Sequence, residues 1–303
     1  MITIYLWGHG NRPELISVDS IAIYWYLQTL TERNDIEIVF ANNTDLSFTR
    51  TLPLLKDDIE NIDLVGYGNI IEYLMLKTKD NDNTLSMNEL LLVQYLNNKM
   101  DLIVKYFLYL NHQNYKEYTR IIFTQLLYWP MWYNTPRKYK VETRVCCEDT
   151  FALLKIREDT NCDADDSDDG DLPPGLIQSK TFKMNQDKRK KSKHQLRESS
   201  NQLQMTHILK DILNEYQAMR KIVPGESIPV DLYYLAHLYI LVQLPDHNDT
   251  SQIIQQYHYQ DYCTLDKYIQ TFSSTKSTIT IREPHFTELG NVAMSLYRRV
   301  PYL

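Results

Sequence analysis

The chain is short of the residues from which loop-built and disulfide-built folds are made. Its 303 residues include 8 Gly and 11 Pro, so a fold made mostly of turns is excluded. The four cysteines, Cys146, Cys147, Cys162 and Cys263, form no CxxC pair and no metal-ligand spacing. Cys146 and Cys147 are adjacent and poor partners for each other, so a reducing compartment is the simplest reading. The eight histidines make neither HxxxH nor HExxH, which removes the helical zinc motifs. Positive charge is also in deficit: the net charge of −7 and pI near 5.6 count against nucleic acid as a partner. Long apolar runs are missing too. The longest, Leu232 to Leu244, is broken by His237 and Gln243 and is too short to span a bilayer. The first ten residues are strand-like and Pro13, Glu14 and Asp19 follow, so no cleavable leader is expected. Any membrane association is expected to be peripheral, through a partner.

What is abundant is tyrosine, with 23 copies, in a chain whose hydrophobic content of 43% suffices for an ordinary core. The length allows about two domains. Thr3 to Trp7 is a β-rich run, and a helix capped near Ser17 follows, with Ile21, Tyr24, Trp25 and Gln28 to Leu30 at helical spacing. Glu37 to Ala41 is a second strand. Leu52 to Leu74 then gives a proline-marked turn, a strand, a turn, a second strand and, after Gly66-Tyr67-Gly68, an amphipathic helix. A right-handed crossover makes the first two strands parallel. The order β-α-β then β-β-α, with Leu52-Pro53 before Leu54-Leu55, predicts an α/β thioredoxin-like N-terminal domain over residues 1–80.

From Ser86 the period is helical. Ser86 to Glu89 is a capping box opening a helix with Leu90, Val93, Leu96, Met100, Ile103, Val104 and Phe107 on one face. Tyr115 to Trp129 predicts a helix stopped by Pro130, and Thr135-Pro136 a cap and first helical residue for another running toward Glu158. Eight acidic residues between Glu158 and Asp171 are followed by eight basic ones between Lys180 and Arg197. Residues 158–200 therefore read as a charged, disordered insertion, either a solvated linker or a tether with Lys188 to Lys193 for an acidic partner. Helices resume at Asn201 and continue as Pro229 to Leu244, Ser251 to Phe272 and His285 to Val300. The helical domain thus comprises 84–157 and 201–303, and the whole has a glutathione-transferase-like architecture.

An enzyme on that scaffold needs a hydroxyl or thiol at the first helix, a cis-proline, and an acidic residue with Ser entering the helix after the last hairpin. Ser17 offers a hydroxyl but is expected to be a helix cap. Pro53 meets the second need. The third fails, because Gly66-Tyr67-Gly68-Asn69 stands in that place, and Tyr67 is expected to intrude on the ligand space. No catalytic, cofactor or metal site is predicted; a glutathione-dependent transferase or thiol enzyme using Ser17 and Pro53 is the alternative. His112, His207 and His237 read as packing histidines. The segment Trp129-Pro130-Met131-Trp132-Tyr133-Asn134 carries anchor residues of the kind that dominate interfaces; the same side chains would also suit a plug between the domains.

Five blocks, kept in order from about Tyr5 to Tyr297, carry a family resemblance: LISVDSIA at Leu15 to Ala22, IVFANNTDLS at Ile38 to Ser47, LLYWPMWYNTP at Leu126 to Pro136, QSKTFK at Gln178 to Lys183 and GNVAMSLY at Gly290 to Tyr297. They resemble the metaxin family, in particular the fungal metaxin-one-like subunit of the mitochondrial sorting and assembly machinery. The chain departs from it in the charged segment and near Asp231, where Ile228 stands at the usual cap and Ser227 one residue earlier. The resemblance implies a non-catalytic peripheral subunit on the cytosolic face of the mitochondrial outer membrane. It further implies a metaxin-two-like sister subunit, an outer-membrane β-barrel assembly protein, a receptor of the general import translocase, and transient β-barrel precursors as partners. Support for β-barrel folding, insertion and release, and coupling to the translocase, is the role it implies.

Overall fold

β1 (Ile2–Tyr5) is buried along its whole length and lies at the centre of a five-stranded mixed sheet. The computed structural model that shows this describes residues 1–30, 35–77, 84–151, 180–223, 227–274 and 280–290. A short ribbon, β2 (Gly8–His9) and β3 (Arg12–Pro13), precedes α1 (Val18–Thr29). β4 (Ile36–Val39) pairs parallel with β1, placing Ile2 opposite Ile36 and Tyr5 opposite Val39, as the crossover requires. β5 (Leu54–Asp57) pairs antiparallel with β1, and β6 (Ile62–Val65) antiparallel with β5. The Leu52-Pro53 peptide is cis, and the Pro53 carbonyl accepts the N–H of Gly66 at 3.3 Å. Gly66 has φ +84, a left-handed conformation that turns β6 into α2 (Tyr67–Lys77) and needs a residue without Cβ.

α1 is buried almost all round, from Val18 through Leu27, because it is covered by the sheet on one side and by α9 (Ile228–Gln243) on the other. Trp25 and Tyr239 meet across that contact at 5.2 Å between ring centroids. The helical part starts at α3 (Met87–Tyr95), whose predicted capping box is formed by Ser86 and Glu89. α4 (Asp101–Lys105) lies between two wider π-helical turns, Leu96–Met100 and Tyr106–Leu110, in which Asp101 N–H bonds Leu96 and Asn111 N–H bonds Tyr106. α5 (His112–Asn114), a third π turn at Tyr115–Thr119 and α6 (Arg120–Leu126) follow.

Several expectations change. α7 (Met131–Phe151) begins directly after a cis Trp129-Pro130 peptide, so Thr135 is not its cap and Pro136 lies inside it. The Pro130 carbonyl receives the N–H groups of Tyr133 and Asn134, which starts the helix five residues early. α8 (Lys180–Ile222) is a single helix crossing the boundary placed at residue 200, so the basic half of the charged segment is helical rather than disordered. Its acidic half lies outside the described residues. Ser251 to Phe272 is two helices, α10 (Asn248–Tyr257) and α11 (Tyr259–Ser274), broken at His258.

The largest departure is at the far end. β7 (Thr280–Arg282) adds to the N-terminal sheet as an edge strand parallel to β4, pairing Ile281 with Ile38. Residues 285–290 are turn and extended chain rather than the start of a helix, and 291–303 lie outside the described residues. The sheet is therefore completed by the segment that the sequence reading assigned to the helical domain. Among the described residues no helix is long and apolar enough to cross a membrane.

Candidate functional site

Among the places where later parts of the chain join the N-terminal part, two are centred on an acid. The first is at the start of α2. Tyr67 is buried, its ring stacked on Tyr233 of α9 at 4.1 Å and 7° between planes, and its hydroxyl donates to the Pro229 carbonyl at 2.6 Å. The Tyr233 hydroxyl donates in turn to Asp19 Oδ1 at 2.9 Å. Asp19, from the first turn of α1, stands at the N-terminus of α2, where the backbone N–H of Tyr67 favours its charged form. Burial raises the Asp19 pKa to about 6, with the nearby Asp101 charge adding to it and the bonds from Tyr233 and Tyr67 opposing it.

A cavity of about 500 Å³ opens beside this group. Asp19, Tyr67 and Tyr233 form one wall; Gly66, Gly68, Asn69 and Glu72 of the turn and α2 form another. Met87, Leu90, Leu91, Val93, Gln94 and Asn97 of α3 and the turn after it form the third. Met87 and Leu91, exposed at 71% and 57%, stand at its mouth. Tyr67 lines this cavity, and its hydroxyl is held by Pro229 of α9. Ser17 and Pro53 do not line the cavity. Ser17 is the cap of α1: its Oγ accepts the Ser20 N–H at 3.2 Å and the Ser20 hydroxyl at 3.0 Å. Asp19 was missed by sequence reasoning; its only signal was an acid in the first turn of a capped helix.

The second junction holds β7. Arg282 forks onto Glu288 with two 2.9 Å bonds and reaches Glu37 of β4 at 3.1 Å. Glu288 also accepts from the Tyr5 hydroxyl and the His285 N–H, each at 2.7 Å. Burial works against its ionisation, and the bonds from Arg282, Tyr5 and His285 overcome that to lower its pKa to about 2. Asn43 donates to the Glu288 carbonyl at 3.0 Å, and Gly290 packs so closely on Tyr128 that an added Cβ would stand 2.9 Å from the ring.

Beside Tyr128 lies the predicted anchor segment. Trp129 is 73% exposed and Tyr133 44%, while Pro130, Met131 and Trp132 are half-buried and Asn134 is exposed. Trp129 and Tyr133 are therefore presented at the surface, while Trp132 is half-buried. His237 is a packing residue, buried, with Nδ1 2.8 Å from the Tyr233 carbonyl and a pKa lowered by burial to about 4. Among the described residues no group of His, Cys, Asp and Glu is arranged to hold a metal ion.

The family model for Tom37, an outer mitochondrial membrane transport complex protein, matches residues 20–140, and that for the Tom37 C-terminal domain matches residues 156–303. The chain belongs to the Tom37 family. No curated protein matches the chain. Both junctions fall within these two matches in part: Tyr67 lies in the first, and Tyr233, Arg282 and Glu288 in the second. The Tom37 assignment places the chain in a mitochondrial outer-membrane transport complex.

Proposed function

We propose that the chain is a non-catalytic, peripheral subunit of the sorting and assembly machinery on the cytosolic face of the mitochondrial outer membrane. In this reading it supports the folding, insertion and release of β-barrel precursors and couples the machinery to the general import translocase. Its partners are a metaxin-two-like sister subunit, the outer-membrane β-barrel assembly protein and a receptor of that translocase. The observation that carries the reading is the pair of Tom37 matches along nearly the whole chain. The glutathione-transferase-like layout is supported by the sheet order β6-β5-β1-β4, the cis-Pro53 and the helical part that follows.

Asp19 supports the non-catalytic part. A transferase offers the helix N-terminus after its last hairpin to a carboxylate of the tripeptide; here the protein's own carboxylate, Asp19, stands beside the Tyr67 N–H at that N-terminus. A second carboxylate would meet Asp19 instead of a donor. Trp129 and Tyr133 supply exposed aromatic surface of the type that anchors protein interfaces.

Native electrophoresis of detergent-solubilised mitochondria carrying a tagged chain tests the assembly role, with carbonate extraction testing the peripheral one. Co-migration with an outer-membrane barrel protein and release by carbonate are expected. A chain that never migrates with such a protein overturns the assembly reading. Glutathione conjugation that is abolished by Ser17→Ala overturns the non-catalytic one.

A further inference from the structure

The cavity between α2 and α3 has a chemistry that the assembly role leaves unused. Its lining contains two acids, Asp19 and Glu72, and no Lys, Arg or His. Neither acid makes an ion pair among the described residues. The closest cation to Asp19 in electrostatic terms, Lys105, is committed to Asp101 at 2.6 Å. An enclosed carboxylate without a cation is an unfavourable arrangement unless a partner completes it. The amides of Asn69, Gln94 and Asn97 add acceptors and donors, while Leu90 and Val93 provide an apolar wall.

The geometry points to a socket for the arginine side chain of a partner polypeptide, with the guanidinium on Asp19 and the methylene stem along Leu90 and Val93. A guanidinium offers five donors in a planar fork, which suits a carboxylate flanked by amides better than a point-charge ammonium does. The stem needs apolar cover, which is how long basic side chains bury themselves. A cavity of about 500 Å³ exceeds one side chain, and the exposed Met87 and Leu91 at its mouth suit apolar residues flanking the arginine. The inference rests on reading this chain as a polypeptide-binding subunit, and it names one chemical feature of the polypeptide.

Isothermal titration of the full chain with a capped pentapeptide, Leu-Ser-Arg-Ser-Leu, tests it, alongside versions carrying citrulline, lysine or glutamate at the centre. The arginine peptide is expected to bind at least tenfold more tightly than the citrulline one, which is isosteric and neutral, and the glutamate peptide least. Asp19→Asn keeps an acceptor for Tyr233 and Tyr67 and removes the charge; it is expected to weaken the arginine peptide at least tenfold, about 1.4 kcal/mol. Glu72→Gln and Leu91→Ser, at the accessible edge, are expected to weaken it two- to fivefold and serve if Asp19→Asn does not fold. Equal binding of citrulline and arginine, tighter binding of the glutamate peptide or glutathione, or no binding of any peptide at millimolar concentration overturns the socket. The titration uses purified chain, so its failure is separate from a failure to migrate with the mitochondrial complex.

Discussion

The two junctions between sheet and helices use the same kind of group to opposite effect. Glu288 is surrounded by donors: a bidentate arginine, a tyrosine and a backbone N–H. Its pKa is lowered to about 2 although it is buried. Asp19 has a tyrosine hydroxyl but no paired cation, and its pKa is raised to about 6. The missing guanidinium is the difference. A completed acid serves stability, and an incomplete one beside a cavity keeps capacity for something else. The Glu288 clamp ties the far end of the chain to the first strand; the Asp19 junction leaves an opening between α2 and α3.

The sharpest way to break the comparison is to make the first acid resemble the second. Arg282→Ala leaves Glu288 and Glu37 without their cation and releases β7 from the sheet edge. Removing one partner of a well-buried pair costs roughly 3–5 kcal/mol, and the partial exposure of this one reduces that to about 3 kcal/mol. Urea unfolding of the purified chain measures it. The pH dependence carries the same information. A lowered carboxyl pKa gives stability that is present above about 4.5 and is lost as pH falls through about 2. Arg282→Ala is expected to flatten that acid limb; an unchanged limb removes the clamp from the account.

Asp19→Asn is expected to act in the other direction. For an acid whose folded pKa is raised, the folded state holds its proton more tightly than the unfolded one. Stability therefore falls as pH rises from 3.8 to about 6. The substitution removes this loss, so the variant is expected to be more stable than the natural chain by about 3 kcal/mol at pH 7 and nearly equal to it near pH 4. His237, with a pKa lowered to about 4, titrates with the opposite sign, which is why the difference between the two chains is the quantity to measure. A variant less stable at both pH values would mean that the carboxylate is a structural group like Glu288.

What could be read from the sequence divides along the same line. Pro53, the hairpin that follows it and Gly66 were legible because turn chemistry and strand period are local. So was the Ser86–Glu89 capping box. The Glu288 clamp was not, because Thr280 to Arg282 is three residues long and its partner β4 is more than two hundred residues away. Asp19 looked like an ordinary first-turn acid, since its bond from Tyr233 exists only once α1 and α9 are side by side. Thr135-Pro136 gave a good local start signal, yet the cis-Pro130 turn set the helix going earlier. The charged segment misled through composition: eight basic residues suit a linker, and they also suit the first part of a long helix that is anchored further on by Met205, Leu209, Leu213 and Tyr216 in the core.

Tyr67→Phe isolates the part of the Asp19 junction that does not depend on charge. It keeps the ring stacked on Tyr233 and removes only the hydroxyl bond to Pro229. A buried hydrogen bond of this kind contributes about 1 kcal/mol, and the orphaned carbonyl adds somewhat to the loss. Thermal unfolding is expected to show a drop of a few degrees, with arginine-peptide binding changed less than twofold. A large loss of binding would mean that the hydroxyl, rather than Asp19, organises the cavity.

Trp129→Ala gives the smallest expected effect on the isolated chain and the clearest contrast with both junctions. Its ring is mostly in solvent, so its removal should change stability by no more than about 0.5 kcal/mol. An anchor that fills a partner's pocket behaves differently, since truncating a central aromatic typically costs 2 kcal/mol or more of binding energy. Co-purification of the complex from mitochondria should therefore fall while the melting curve of the purified chain stays where it was. If both stay unchanged, Trp129 is a surface residue of no consequence. If both fall, the segment works as a plug, and the exposed face it presents is incidental to a structural role.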